Sequence, residues 1–306
     1  MQSDNKLKSE LLNPMYLPVI KDSSIYYGGS QMWFPTDRKY SRDYVLHNYG
    51  CGTIATADLF LYLALQNKAM KTPVTEIVLH QGNLIKYENY QTYIRLINNR
   101  YTKTKPIIAV LGIKIASVIN DYSDAYGLGY QASWQWKLTY YDMLDMMEEM
   151  LSKDIPVILS IGPNTPKLWG KKGISFYTIR VIEYLKENSK LSDHTDLSDI
   201  KNPTDTIPNP PELSDVKQPT DTAPNPPTEG PIKKKKPYYY KVEASDVNGH
   251  YVTVTGIIKD EIANRIMLRI SSWGKLYYIN YEEYRNYIES YGGTFTSSIV
   301  RLKRTE

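Results

Sequence analysis

Residues 47–58 read HNYGCGTIATAD and contain the only cysteine of this 306-residue chain. Cys51 lies between two glycines, directly before residues 53–67 (TIATADLFLYLALQN), in which small and apolar residues recur at helical spacing. The stretch therefore predicts a helix with a cysteine near its start. Unpaired N–H groups and the helix dipole at such a start lower the pKa of a thiol, and the thiolate is the nucleophilic form. The pattern makes Cys51 a candidate nucleophile, and the flanking glycines keep the approach to it open.

Length, charge and cysteine content restrict the class of protein. A chain of 306 residues is long enough for one large or two ordinary domains. The formal net charge of +4 is too small to indicate nucleic-acid binding. One cysteine excludes an internal disulfide and a cysteine-rich zinc site, and we expect neither a metal nor a cofactor. There is no signal-like apolar segment and no run near the roughly 18 residues that span a bilayer, so we expect a soluble, cytoplasmic chain without a membrane span.

A short repeat interrupts the globular sequence. Residues 197–212 (LSDIKNPTDTIPNPPE) and 213–228 (LSDVKQPTDTAPNPPT) are identical at 12 of 16 positions. Prolines recur too densely for a helix or a sheet to persist, which predicts a disordered or polyproline-II insertion over 187–236. We expect a tolerated surface insertion, because long loops cost little closure entropy; a docking segment or a basic membrane-surface tag is the alternative. Two parts of one domain, 1–186 and 237–306, would flank it.

The pattern of apolar residues predicts an α+β fold. Before the insertion, helices are expected over 53–67, 88–101, 113–121 and 140–152, and strands over 155–163 and 175–185. After it, strands are expected over 238–244, 250–258, 265–271 and 275–279, followed by a helix over 281–291. The prediction is a helical N-terminal half, with the nucleophile at a helix N-terminus, packed on an antiparallel sheet.

A nucleophilic cysteine needs a base, most often a histidine. The chain has four: His194 lies in the insertion, His47 precedes the thiol on an entering loop, and His80 is expected at a loop or strand end. His250 opens the strand HYVTVTG directly after an Asn-Gly turn. At the start of a strand that is held by a sheet, its imidazole would keep a fixed orientation, so His250 is the best candidate base.

Together these elements resemble a known superfamily. GCGTIATAD at a helix start, GHYVTVTG and SSWG are similar to the papain-like cysteine peptidases. Within that superfamily, GCG with HYVTVTG, and IPVILSIGP before it, most resemble the bacterial bacteriocin-processing (double-glycine) peptidase branch. The resemblance covers residues 26–163 and 238–290. It implies a papain-like fold, a peptide or protein substrate, Cys51 as nucleophile and His250 as general base.

The residue that should orient the histidine departs from the family pattern. Where the family has Asn or Asp, this chain has Ser271 in ISSWG. A serine hydroxyl can hydrogen-bond an imidazole but supplies no charge to an imidazolium. We take Ser271 as the orienting residue, with Ser272 and Asp260 as substitutes.

The oxyanion-hole glutamine of the family is also absent from its usual place. Asn48 and Gln31 are the candidate amide donors. Trp273 is expected to pack in the core. Asp58 falls on the helix face of Cys51, two turns along, and is expected to satisfy a buried backbone group.

Three functions are compatible with this pattern. The first is a cysteine hydrolase that cleaves a peptide or isopeptide bond through an acyl-enzyme. The second is an acyltransferase that uses the same pair with an amine as acceptor, because one site supports both reactions. The third is a papain-like pseudoenzyme whose cleft only binds peptide, and a buried, inert Cys51 is the remaining alternative.

Overall fold

The computed structural model describes residues 7–79, 84–162, 172–181, 238–260, 264–290 and 299–305, which form an α+β fold. The helices are α1 Arg42–Tyr49, α2 Cys51–Gln66, α3 Pro73–Leu79, α4 Tyr87–Ile97, α5 Gly112–Tyr126, α6 Tyr140–Ser152 and α7 Tyr281–Glu289. The strands are β1 Leu7–Glu10, β2 Pro18–Lys21, β3 Ser24–Tyr27, β4 Ile85–Lys86, β5 Tyr130–Gln135, β6 Val157–Ile161, β7 Ile174–Val181, β8 Tyr238–Val247, β9 His250–Asp260, β10 Arg265–Ser272, β11 Lys275–Asn280 and β12 Ile299–Arg304.

Helix α2 is buried on every side. The sequence predicts one apolar face, yet every residue from Cys51 to Ala64 is buried, because α1, α3, α4 and α5 contact the helix and β9 packs against it as well. A helix surrounded by protein needs small or apolar residues all round, and its buried polar groups must find partners. This packing fixes the helix that carries the thiol.

A short helix that the sequence prediction missed leads into α2. Helix α1 is capped by Ser41, whose hydroxyl accepts a hydrogen bond from the backbone N–H of Tyr44. Only Gly50 separates the two helices, and a Cβ at that position would lie 2.2 Å from the carbonyl oxygen of Leu46. The junction therefore requires glycine, and it makes Cys51 the first residue of α2.

Nine strands of the described residues form one sheet, in which the path β5-β12-β6-β9-β10-β11-β7-β8 is joined by β1 pairing with β9. The four strands expected after the insertion are present. Strand β6 is the core of the strand expected over 155–163, and it places Ile161 opposite His250. Because β1, β5 and β6 belong to the N-terminal part, the sheet draws on both parts of the chain.

A bulge sets the register between β9 and β10. Arg269 pairs with Gly256, but the next residue, Ile270, pairs with Val254, so β9 carries one extra residue at this point. Ser271 consequently lies opposite Thr253. Without the bulge it would lie opposite Val254, which shares a face with His250 because side chains alternate along a strand.

The described residues of Met1–Ile179 and Tyr240–Glu306 form one compact unit, and Arg180–Tyr239 is a separate unit. The insertion predicted over 187–236 lies outside the described residues, as do His80 and His194. In the part of the chain that is described, no helix combines the length and apolarity that crossing a membrane requires.

Candidate active site

Cys51 and His250, which are distant in sequence, line the same cleft of about 790 Å³. Cys51 is the first residue of α2 and His250 the first residue of β9, so two rigid elements hold the pair. Gln31, Asn48 and Trp273 line the same cleft. The structure therefore brings the predicted nucleophile, base and amide donors together.

The predicted orienting residue is corrected by one position. Ser272, not Ser271, lies beside the base, with its Oγ 2.8 Å from Nε2 of His250. Ser271 instead donates a hydrogen bond of 2.7 Å to the carbonyl oxygen of Tyr27. The bulge in β9 is the physical reason, since it turns Ser271 to the other face of the sheet and leaves Ser272 on the face of His250. Because Ser272 engages Nε2, Nδ1 is the ring nitrogen that is available to take a proton from a thiol.

The two serines are expected to respond differently to substitution by alanine. Ser272→Ala should slow acylation of Cys51 about tenfold, which corresponds to one hydrogen bond of roughly 1.4 kcal/mol. Ser271→Ala should change the rate little but lower the free energy of unfolding by about 1–3 kcal/mol, because a buried carbonyl loses its donor. Burst kinetics and urea unfolding of both variants measure the two effects. A slower rate in Ser271→Ala alone would contradict the assignment.

An indole covers the His250–Ser272 pair. Trp273 stacks on the imidazole with ring centroids 4.9 Å apart, and Phe176 packs against both rings. Trp273 has a φ of 49°, in the left-handed region that bulky residues avoid. With Gly274 it forms the two-residue turn between β10 and β11, where Asn or Gly is the usual choice. The turn therefore holds the indole against one face of the imidazole.

Burial makes the neutral forms of Cys51 and His250 the stable ones. It raises the pKa of the Cys51 thiol, although the backbone N–H groups of Tyr251, Gly52 and Cys51 work in the opposite direction. The sequence argument predicted a lowered pKa from the helix N-terminus; desolvation outweighs that effect here. Burial also lowers the pKa of His250 to about 4. A thiol and a neutral imidazole therefore face the cleft, rather than a preformed ion pair.

The two candidate oxyanion donors differ in how their amides are used. Asn48 donates from Nδ2 to the carbonyl oxygen of Tyr44, one turn back on α1. Gln31 donates from Nε2 to the carbonyl oxygen of His47 at 2.9 Å, which fixes the side chain, and it lines the cleft and the smaller cavity beside Cys51. Since the second hydrogen on Nε2 remains for a ligand, Gln31 is the better placed donor.

Asp260 and His47, two further candidates from the sequence, have partners other than Cys51 and His250. Asp260 lies at the opposite end of β9 from His250 and forms an ion pair with Arg265, so it does not orient the base. His47 lies on α1 rather than on a loop, and its Nδ1 is 2.8 Å from the carbonyl oxygen of Phe34.

Asp58 is buried and accepts a hydrogen bond of 2.9 Å from the backbone N–H of Gly29, which confirms its expected role. It also accepts one of 2.6 Å from the hydroxyl of Tyr90. Sequence reasoning did not find this tyrosine, because nothing local to α4 indicates a partner on α2.

No group of three or more His, Cys, Asp or Glu side chains within the described ranges could hold a metal ion. Comparison with protein-family models, with curated proteins and with solved structures finds no match for this chain.

Proposed function

We propose that this protein is a papain-like cysteine hydrolase that cleaves a peptide or isopeptide bond through an acyl-enzyme on Cys51. The observation that carries the proposal is the convergence of Cys51 and His250 on one cleft, each at the first residue of a rigid element. The volume of about 790 Å³ is within the range of ligand-binding clefts.

The electrostatics of the pair define how it would act. Because the thiol pKa is raised and that of His250 lies near 4, the resting pair is neutral. His250 then works as a general base, and Nδ1 takes the proton while the sulfur attacks the carbonyl carbon. The same proton passes to the leaving amine, and water releases the acyl group. The N–H groups at the start of α2 and the amide of Gln31 are the donors for the oxyanion.

One observation favours a second candidate, a papain-like domain that binds peptide without cleaving it. The orienting residue is Ser272, whose hydroxyl carries no charge, and a buried neutral pair costs energy to ionise. Such a domain would keep the cleft but not the turnover.

Acylation by p-nitrophenyl acetate tests the proposal without knowledge of the natural substrate. We expect intact-mass analysis to find one acetyl group on the wild type and none on Cys51→Ala. The adduct should be lost with time as water releases the acetyl group. An acetyl group that is never released would contradict a hydrolase and support the binding domain, and no acetylation would contradict any acyl-enzyme.

A further inference from the structure

A buried carboxylate shares a cavity with the catalytic pair. Asp58 follows Cys51 by two turns of α2 and is 2% exposed. It lines a cavity of about 20 Å³ together with Cys51, His250, Ser271 and Ser272. This volume suits about one water molecule and excludes a substrate. The carboxylate of Asp58 and the imidazole of His250 therefore line the same small cavity, and both side chains are buried.

The backbone at Gly28 shows how closely the carboxylate approaches β10. A Cβ built on Gly28 would lie 2.4 Å from Oγ of Ser271 and 3.0 Å from Oδ2 of Asp58. Gly28 also has a φ of +81°, so both the lack of space for a Cβ and the left-handed backbone require glycine there. The side chains of Ser271 and Asp58 therefore both lie against the backbone of Gly28. Ser272, the next residue along β10, hydrogen-bonds His250 and lines the same cavity as Asp58.

The two hydrogen bonds of Asp58 do not explain why it is an acid. Both partners, the N–H of Gly29 and the hydroxyl of Tyr90, are uncharged. An asparagine could accept from Gly29 with its carbonyl oxygen and donate to the tyrosine oxygen. Burial raises the pKa of Asp58 to about 7, even though the bonds from Tyr90 and Gly29 lower it. A costly buried charge beside a reacting pair is typical of a functional group.

We propose, building on the hydrolase proposed above, that Asp58 is a positioning residue whose ionised carboxylate stabilises the imidazolium that forms on His250 during acylation. The proton moves from the sulfur of Cys51 to the imidazole and then to the leaving group, and Asp58 takes no part in the transfer. Ser272 holds the ring, and Asp58 supplies the negative charge that a serine lacks.

The groups that face Asp58 restrict what can titrate near neutral pH. Tyr16, and Tyr90 and Tyr93 on α4, have their pKa raised well above the usual value by burial and by the Asp58 charge or neighbouring tyrosines. Across the cavity stand Cys51, with a raised pKa, and His250, with a pKa near 4. Asp58 is the member of this set that changes its charge close to pH 7.

The test is the pH dependence of acylation by p-nitrophenyl acetate in the wild type and in Asp58→Asn, after melting curves confirm that the variant folds. Well below pH 7, where Asp58 is protonated in the wild type, the two rates should agree. Above that pH the wild type should become roughly 10- to 30-fold faster, as expected for a charge several ångströms away at an effective dielectric constant of about 20. A rate ratio that is the same at every pH would mean a structural role only and would overturn the proposal.

Tyr90→Phe provides a second variant that keeps the carboxylate. It removes a hydroxyl that lowers the pKa of Asp58. The pH at which the acylation rate reaches half of its increase should therefore move to a higher value. An unmoved midpoint would overturn the proposal even if Asp58→Asn fails to fold. The two proposals fail in different ways. If the hydrolase proposal is wrong, His250→Ala should be acylated as fast as the wild type. If only the Asp58 proposal is wrong, His250→Ala should still be slow.

Discussion

Replacing His250 with alanine is expected to slow acylation of Cys51 about 10²- to 10⁴-fold at neutral pH, the usual contribution of a general base. The reason is the pair of opposed pKa shifts in this site. Burial raises the pKa of the thiol, so most of the protein carries Cys51 as the protonated form, which attacks poorly. Without the His250 imidazole, the proposed base for the thiol proton is lost. The rate constant of the p-nitrophenolate burst measures the effect.

The pH dependence separates this explanation from a loss of structure. The rate for His250→Ala should rise about tenfold per pH unit until the thiol ionises, because only preformed thiolate then reacts. The advantage of the wild type should shrink over the same range. His47→Ala is the matched control, since His47 lines the same cleft but lies outside the proposed pair. Equal losses in both variants would contradict the assignment of His250.

The sequence predicts the parts of this site that depend on local pattern. Small and apolar residues at helical spacing place the start of α2 within two residues of its observed position, and the Asn-Gly turn places the start of β9 at His250. Thr139, directly before the helix expected over 140–152, is a local signal of the same kind, and its side chain caps α6 by accepting a hydrogen bond from the backbone N–H of Asp142. Helix α1 and strand β12 were missed although signals exist, namely Ser41 with Asp43 in the first turn and the alternating IVRLKR.

The parts that depend on packing could not be predicted in this way. The choice between Ser271 and Ser272 depends on a single extra residue in β9, and no pattern in either strand marks that bulge. The thiol pKa has a local contribution from the helix N-terminus, which the sequence shows, and a larger one from desolvation. Desolvation requires knowing that β9 and the rings of Tyr251 and Trp273 cover the site, and these contacts are long-range.

His250→Gln is expected to change how stability depends on pH. The difference in unfolding free energy between this variant and the wild type should change by about 3 kcal/mol between neutral and acidic pH. The pKa of His250 is about 4 in the folded protein because of burial, against about 6.5 in an unfolded chain. Between these values the unfolded chain binds a proton that the folded protein does not, so stability falls as the pH falls. The contribution of neutral His250 is complete above about pH 6.5 and lost near pH 4. The glutamine variant lacks this loss, so its free energy of unfolding should rise relative to that of the wild type as the pH falls.

Asp58 is expected to change stability with pH in the opposite direction over an overlapping pH range, so it serves as an internal control. Its folded pKa of about 7 lies above the unfolded value of about 3.9, so the folded protein holds the extra proton and stability falls as the pH rises between them. Asp58→Asn should therefore gain on the wild type toward pH 7 and above, while His250→Gln gains toward pH 4. Urea midpoints of the three proteins across this range measure both trends. Because the two groups offset one another, the stability of the wild type alone can look insensitive to pH. If the plots of unfolding free energy against pH are parallel for all three proteins, neither side chain has the shifted pKa that burial predicts.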